Sequence, residues 1–191
     1  TSDQHAWFRE SCKPQNNEYT NRYVWTTSAW DAPEGYRFVC GTTDHDGNYL
    51  VNFFSSQPAL NYGFHEIKYK WQLPVDHPDC IATREALKDI MRFWLDMGCD
   101  GFRVDMAVSL FKEDPDHYWT KLLWQQVRAH LDETYPEAVL VSEWGDPEEA
   151  LHAGFDMDFL LHFGPSHYLD LFRENPYFSA GSSETTSSAE T

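Results

Sequence analysis

Basic residues are scarce in this 191-residue chain: 14 Lys and Arg stand against 31 Asp and Glu, a formal net charge of −17. A surface that acidic repels phosphate backbones and anionic lipids, which argues against nucleic acid and membranes as partners. Neutral or cationic small molecules stay compatible. Long apolar runs are missing too, and none approaches the ~20 residues of a membrane-spanning helix. Cysteines are few, at 12, 40, 80 and 99, and no two have Cys-x-x-Cys spacing. That speaks against a zinc ribbon or a thioredoxin-like motif. Four free, buried thiols are expected. The nine histidines show no metal-ligand spacing, so no metal site is expected. The opening TSDQHAWFRE lacks an initiator Met, a basic region and an apolar run of the kind a signal peptide carries. It reads as a cut end; the compartment stays open, with the cytoplasm favoured over secretion. Oligomeric state is not legible.

What is present suffices for a folded domain. Hydrophobic residues make up 41% and aromatics 16%, at a length that buries one ordinary core. Residues 1–62 are aromatic-rich and irregular. Turn signals at Pro33–Gly35 and Asp46–Gly47–Asn48 suit short aromatic strands. Beyond residue 78 the period changes. Leu87, Ile90, Met91, Trp94 and Leu95 form a helical stripe over 82–97, and Gly98 stands where a helix stops. An apolar strand is expected at 101–108 and a helix at 116–133, with Trp119, Leu122, Leu123, Val127 and Leu131 on one face. Further strands are expected at 138–144 and 155–163, a short helix at 147–153 and another at 166–174. Most tryptophans, including Trp94, Trp119 and Trp124, read as core. Strands that alternate with helices predict a parallel sheet. About three such strands fit one arc of an eight-stranded barrel. The tail 179–191 is rich in Ser, Thr and Glu and reads as a linker or disordered segment.

The strand CDGFRVDMAVSL, 99–110, holds Asp100, Arg103 and Asp105 among apolar residues. Burying charge without a partner is costly. Taken alone, Arg103 and Asp105 suit a structural ion pair as well as a catalytic one. In parallel α/β sheets, reactive groups sit at the C-terminal strand ends. These ends supply Asp105, Glu143, and the pair Asp156 and Asp158. Neighbouring strands lie ~4.8 Å apart, so carboxylates on adjacent ends can reach the ~5–5.5 Å of a retaining glycoside hydrolase. Asp156 and Asp158 read as helix-capping or solvated, and Asp100, at the strand's start, as structural.

Four motifs in order carry a resemblance: TSDQHAWF at the start, FFSSQPALNYG at 53–63, DGFRVDMA followed 38 residues after its second Asp by the Glu of VSEWGDP, and AGFDMDFLLHFGPSHYLDLFRENPYF. Together they resemble the α-amylase family of glycoside hydrolases, in its α-glucosidase, oligo-glucosidase and trehalose-synthase-like branch. The resemblance implies an α/β fold, part of a (β/α)8 TIM barrel covering about strands 4–6, with a small domain-B-like insertion. Residues 1–62 would be the insertion and 63–178 the partial barrel. It further implies Asp105 as nucleophile and Glu143 as general acid/base. Arg103 would hold Asp105 ionised and oriented. An apolar wall of Trp144 and Val141 would keep Glu143 protonated. Phe53, Trp144 and Met106 would border the sugar. Met106 matches neither the Val frequent in α-1,6 enzymes nor the small residue frequent in α-1,4 enzymes. Ser109 replaces a His common in large endo-acting amylases. Ala59 stands where Asp is frequent, so calcium has no support and no cofactor is expected.

The implied activity is retaining hydrolysis of α-glucosidic bonds in short oligosaccharides. A trehalose-synthase-like transglycosidase or isomerase would use the same chemistry. A non-catalytic binding subunit is the reading from another class, and the joint presence of Arg103, Asp105 and Glu143 speaks against it. Strands and acidic residues that the family places outside this segment imply that the 191 residues alone are inactive.

Overall fold

A computed structural model of the chain describes residues 1–159. The expected strand beyond residue 159, the helix at 166–174 and the tail lie outside the described residues. The chain divides into two compact units: Thr1–Trp94 with Ser109–Trp119, and Leu95–Val108 with Thr120 onward.

The first unit is built from aromatic packing more than from regular structure. A short helix, α1 (Ala6–Ser11), precedes a single 3-10 turn at Thr20–Arg22 and two strands, β1 (Phe38–Val39) and β2 (Tyr49–Leu50). The strands pair antiparallel around the Asp46–Asn48 turn, Phe38 opposite Leu50. A Cβ at Gly47 would come within 2.4 Å of the Thr26 carbonyl, so the turn needs glycine. Backbone groups elsewhere are met by isolated bridges such as Tyr23–Leu60 and Val51–Pro58. Two clusters hold the unit. Phe8, Tyr23, Trp25 and Tyr49 form one, and Val24, Leu50, Ala59, Phe64 and Trp71 the other. The segment Ser109–Trp119 returns to this unit. Its Lys112 backbone pairs with Gly63 and His65, and Glu113 accepts from Tyr36 and Lys68.

Helix α2 (Pro78–Asp96) begins earlier than its apolar stripe suggests. Met91 and Leu95 are buried, but Ile90 and Trp94 are about half exposed, which corrects the expectation of Trp94 as core. The described residues cover only part of the helix's apolar arc. Gly98, at φ +96°, ends the helix as expected, and its N–H donates to the Leu95 carbonyl at 2.9 Å.

The second unit is a parallel α/β layer. Strand β3 (Gly101–Val104) is followed by α3 (Tyr118–Thr134), β4 (Val139–Ser142), α4 (Pro147–His152) and β5 (Met157–Asp158). The sheet order is β3-β4-β5, all parallel, with Val104 opposite Ser142 and Ser142 opposite Asp158. Leu123, Trp124, Val127 and Leu131 of α3, Leu140 of β4 and Phe155 before β5 are buried, and Trp124 packs on Phe155 at 5.0 Å between centroids.

Two expectations need correction. The buried strand over 101–108 stops at Val104 and is only partly buried. Met106 takes φ +48°, which no extended strand can accommodate, and Ala107–Ser109 form a 3-10 turn. The four cysteines are free, but only Cys80 is buried. Cys40 and Cys99 sit in connections just after β1 and just before β3, where they are exposed. Among the described residues no helix is long and apolar enough to cross a membrane.

Candidate active site

The parallel register decides which side chains meet. Gly101 opens β3 against Val139, so close that an added Cβ would fall 2.0 Å from the Val139 carbonyl oxygen. Pairing then runs in step to Val104 and Ser142, where the Glu143 N–H donates to the Val104 carbonyl at 3.0 Å. Asp105 and Glu143 are therefore the first residues beyond two matched strand ends.

Arg103 joins them. Two residues before Asp105, it shares the same strand face. One terminal nitrogen donates to Asp105 Oδ1, and the other to Glu143 Oε1 at 2.7 Å. The hydrogen bond to Asp105, reinforced by the charge of Glu143, raises the Arg103 pKa above its ordinary value. The Met106 N–H donates to Glu143 Oε2 at 2.9 Å. Both oxygens of Glu143 thus face donors and act as acceptors. Asp105 is the more open carboxylate, 73% exposed against 21% for Glu143.

What supports this platform is local. The carbonyl of fully buried Ala107 accepts from the Trp124 indole N–H at 3.0 Å, which pins the turn after Asp105 to α3. Asp158 grips the turn around Glu143. Its Oδ1 accepts from Ser142 Oγ at 2.6 Å and from the Trp144 N–H at 3.0 Å, and its Oδ2 accepts from the Gly145 N–H at 2.9 Å. Asp156, one step lower, accepts from the Leu140 N–H at 2.8 Å and from Arg128 at 3.2 Å. These two carboxylates were expected to be helix-capping or solvated: Asp156 is exposed while it accepts from β4, whereas Asp158 is half-buried and binds the backbone N–H groups of the turn after β4. The signal that could have found them is Asp-x-Asp at a third strand end. Phe159 is a further residue the sequence did not point to. Its ring lies 5.4 Å from the Arg103 guanidinium carbon.

Of the expected sugar-binding residues, Met106 is exposed, and its backbone N–H donates to Glu143. Trp144 is buried and packs against Phe155, 6.3 Å between centroids. Phe53 belongs to the first unit, exposed and edge-on to Phe54. Asp100 is exposed and directly precedes β3. Among the described residues, no three His, Cys, Asp or Glu side chains gather as a metal site.

The chain as a whole has relatives among known proteins. The family model for the alpha-amylase catalytic domain matches residues 1–158. The chain belongs to the alpha-amylase family. The trehalose synthase/amylase TreS of Mycolicibacterium smegmatis is 30% identical over 202 residues, covering 93% of this chain and 31% of that protein. An oligo-1,6-glucosidase of Heyndrickxia coagulans is 32% identical over 127 residues, covering 61% of this chain and 20% of that protein. The chain thus spans a third or less of these relatives' length. In fold it is similar to isomaltulose synthase from Erwinia rhapontici NX5, with a TM-score of 0.61 and 21% identity over 85% of this chain and 32% of that one. The chain is accordingly a fragment of an alpha-amylase-type TIM-barrel fold.

Proposed function

We propose that the protein carrying this chain is a retaining glycoside hydrolase acting on α-glucosidic bonds of short oligosaccharides. The observation that carries the reading is the single Arg103 guanidinium bound to both Asp105 and Glu143. One planar fork ties the two carboxyl groups to a common cation, as suits a mechanism that needs them ~5–5.5 Å apart. Asp105, the more open carboxylate, attacks the anomeric carbon. Glu143 donates a proton to the departing oxygen and later withdraws one from water. Arg103, hydrogen-bonded to Asp105, keeps the nucleophile aimed. The acceptor geometry of Glu143 described above suits its second role, as base. In its first role the carboxyl group carries the proton and turns an oxygen toward the leaving group.

In this reading β3, β4 and β5 are about the fourth to sixth strands of the barrel, and no cofactor takes part. An oligosaccharide is the partner. Isolated from the remaining strands, the 191 residues lack the surrounding charge that stabilises an oxocarbenium-like transition state, so they are inert alone. Release of nitrophenol from an α-glucoside by this chain, abolished in Glu143→Gln, would overturn that point.

The full-length polypeptide, treated with a fluorinated glucosyl fluoride that traps the intermediate, should carry one glucosyl group on Asp105 by peptide mass spectrometry. An unlabelled Asp105 under conditions of turnover sinks the assignment. A second reading draws support from the trehalose synthase/amylase match over 93% of the chain: a sugar hydroxyl, not water, accepts the glucosyl group. With maltose as sole substrate, glucose alone supports hydrolysis, and trehalose or longer sugars support transfer.

A further inference from the structure

We propose that Asp158 is a positioning residue for Glu143, an inference that rests on Glu143 being the general acid/base. Asp158 ends β5, on the strand beside the one that delivers Glu143. Its carboxylate accepts three hydrogen bonds, from the Ser142 hydroxyl, the Trp144 N–H and the Gly145 N–H. Ser142 and Trp144 are the two chain neighbours of Glu143. One carboxylate therefore holds the side chain before the acid and the backbone after it, and Glu143's own N–H is tied to Val104 on the other strand. Hydrogen bonds to an ionised acceptor are the short, strong kind. They also fix Gly145 at φ +82°, from which the chain turns into α4.

The same strand end backs the other side of the site. Phe159 lies against Arg103, the cation shared by Asp105 and Glu143. Asp158 touches none of the reacting groups, so its contribution is placement. A proton donor must sit within hydrogen-bond reach of the leaving oxygen, and a misplacement of about 1 Å costs on the order of 100-fold in rate. Asp156 provides an internal comparison. It binds β4 in the same manner through Leu140, one step farther from the strand end, and does not touch the turn that holds Glu143.

The test uses the full-length protein and two substrates that differ in their need for a proton. Maltose requires protonation of its leaving oxygen, whereas α-glucosyl fluoride releases fluoride without it. Asp158→Ala should lower kcat/KM on maltose by about 100-fold and change kcat/KM on α-glucosyl fluoride little. That parameter reports glycosylation alone and not the later, base-assisted attack of water that both substrates share. Asp158→Asn, which keeps the shape and one acceptor oxygen, should show the same split in smaller measure and covers the case in which the alanine variant does not fold. Asp156→Ala should lower the melting temperature and act equally on both substrates. Equal losses on the two substrates in Asp158→Asn, or no loss in either, overturn the proposal. Glu143→Gln separates the two levels. If it gives the split and Asp158→Asn does not, only the role of Asp158 falls. If Glu143→Gln leaves both substrates unaffected, the acid assignment falls and takes this role with it.

Discussion

The backbone N–H of Met106 donates to Glu143 Oε2 at 2.9 Å, so the residue that follows one strand end supports the carboxylate at the next. The contact depends on an unusual conformation. Met106 holds φ +48°, outside the range that most side chains favour. Local strain of this kind persists where surrounding structure over-determines it, often at functional sites.

Relief of that strain is measurable. Met106→Gly keeps the N–H and removes a left-handed penalty of ~1–2 kcal/mol, partly offset by ~0.5–1 kcal/mol of glycine backbone entropy. Its urea midpoint should be no lower than the parent's. Met106→Val, β-branched and intolerant of positive φ, should be less stable by ~1–2 kcal/mol. The reverse order would refute the account.

The approach of β3 to β4 at Gly101 sets the register of the whole site. Gly101→Ala places a Cβ 2.0 Å from the Val139 carbonyl oxygen, and a backbone atom cannot swing aside as a side chain can. A loss of ~3 kcal/mol is expected, with disturbance of the Val104–Glu143 hydrogen bond. Amide exchange at Glu143 would report it, and unchanged protection there would contradict the prediction.

Acid should loosen the first unit through Glu113. Hydrogen bonds from Lys68 first, and Tyr36 second, hold this carboxyl group below its ordinary value. The folded state therefore gives up the proton more readily than the unfolded chain. Its contribution to stability is full above the ordinary carboxylate range and fades as pH falls through the depressed folded value. Glu113→Gln should be less stable than the parent at neutral pH, and the gap should close in acid. Denaturant titrations across pH read this directly.

Lys112 works in the opposite direction. Burial pushes its ammonium down to about 8, from an ordinary 10.5, although Asn52 Oδ1 and the Ser109 carbonyl accept from it at 3.2 and 2.9 Å. Below about pH 8 the lysine is charged in both states, and the folded state bears the desolvation cost. Above that, the folded state loses the proton first, so the unfolded chain binds more protons and stability rises with pH. Lys112→Met should remove the rise between about pH 8 and 10. A parent protein with no such rise would show that the ammonium is better solvated than its surroundings imply.

Elements whose causes are local could be read from the sequence. The stop at Gly98, the apolar face of α3 and the alternation of helix and strand all follow from side-chain period and backbone preference. Arg103, Asp105 and Glu143 stood out as charges at apolar strand ends. What could not be read depends on register. Asp158 looks like any solvated carboxylate until β5 is set beside β4 and three donors converge on it. Met106 fits a strand pattern, and only the carboxylate it serves explains its turn out of the strand. α1 went unread because its one-and-a-half turns rest on aromatic contacts with Tyr23, Trp25 and Tyr49, not on a sequence period.

The in-step pairing of β3 with β4 has a consequence for synthesis. Arg103, Asp105 and Glu143 all fall within one strand–helix–strand stretch, 103–143, and the Asp158 clamp follows soon after. Contacts of short sequence separation form early, and domains build from the N-terminus as the ribosome delivers them. The Arg103, Asp105 and Glu143 cluster can thus be assembled as soon as this stretch has left the ribosome. A parcel so nearly continuous is also one that duplication or recombination can move whole.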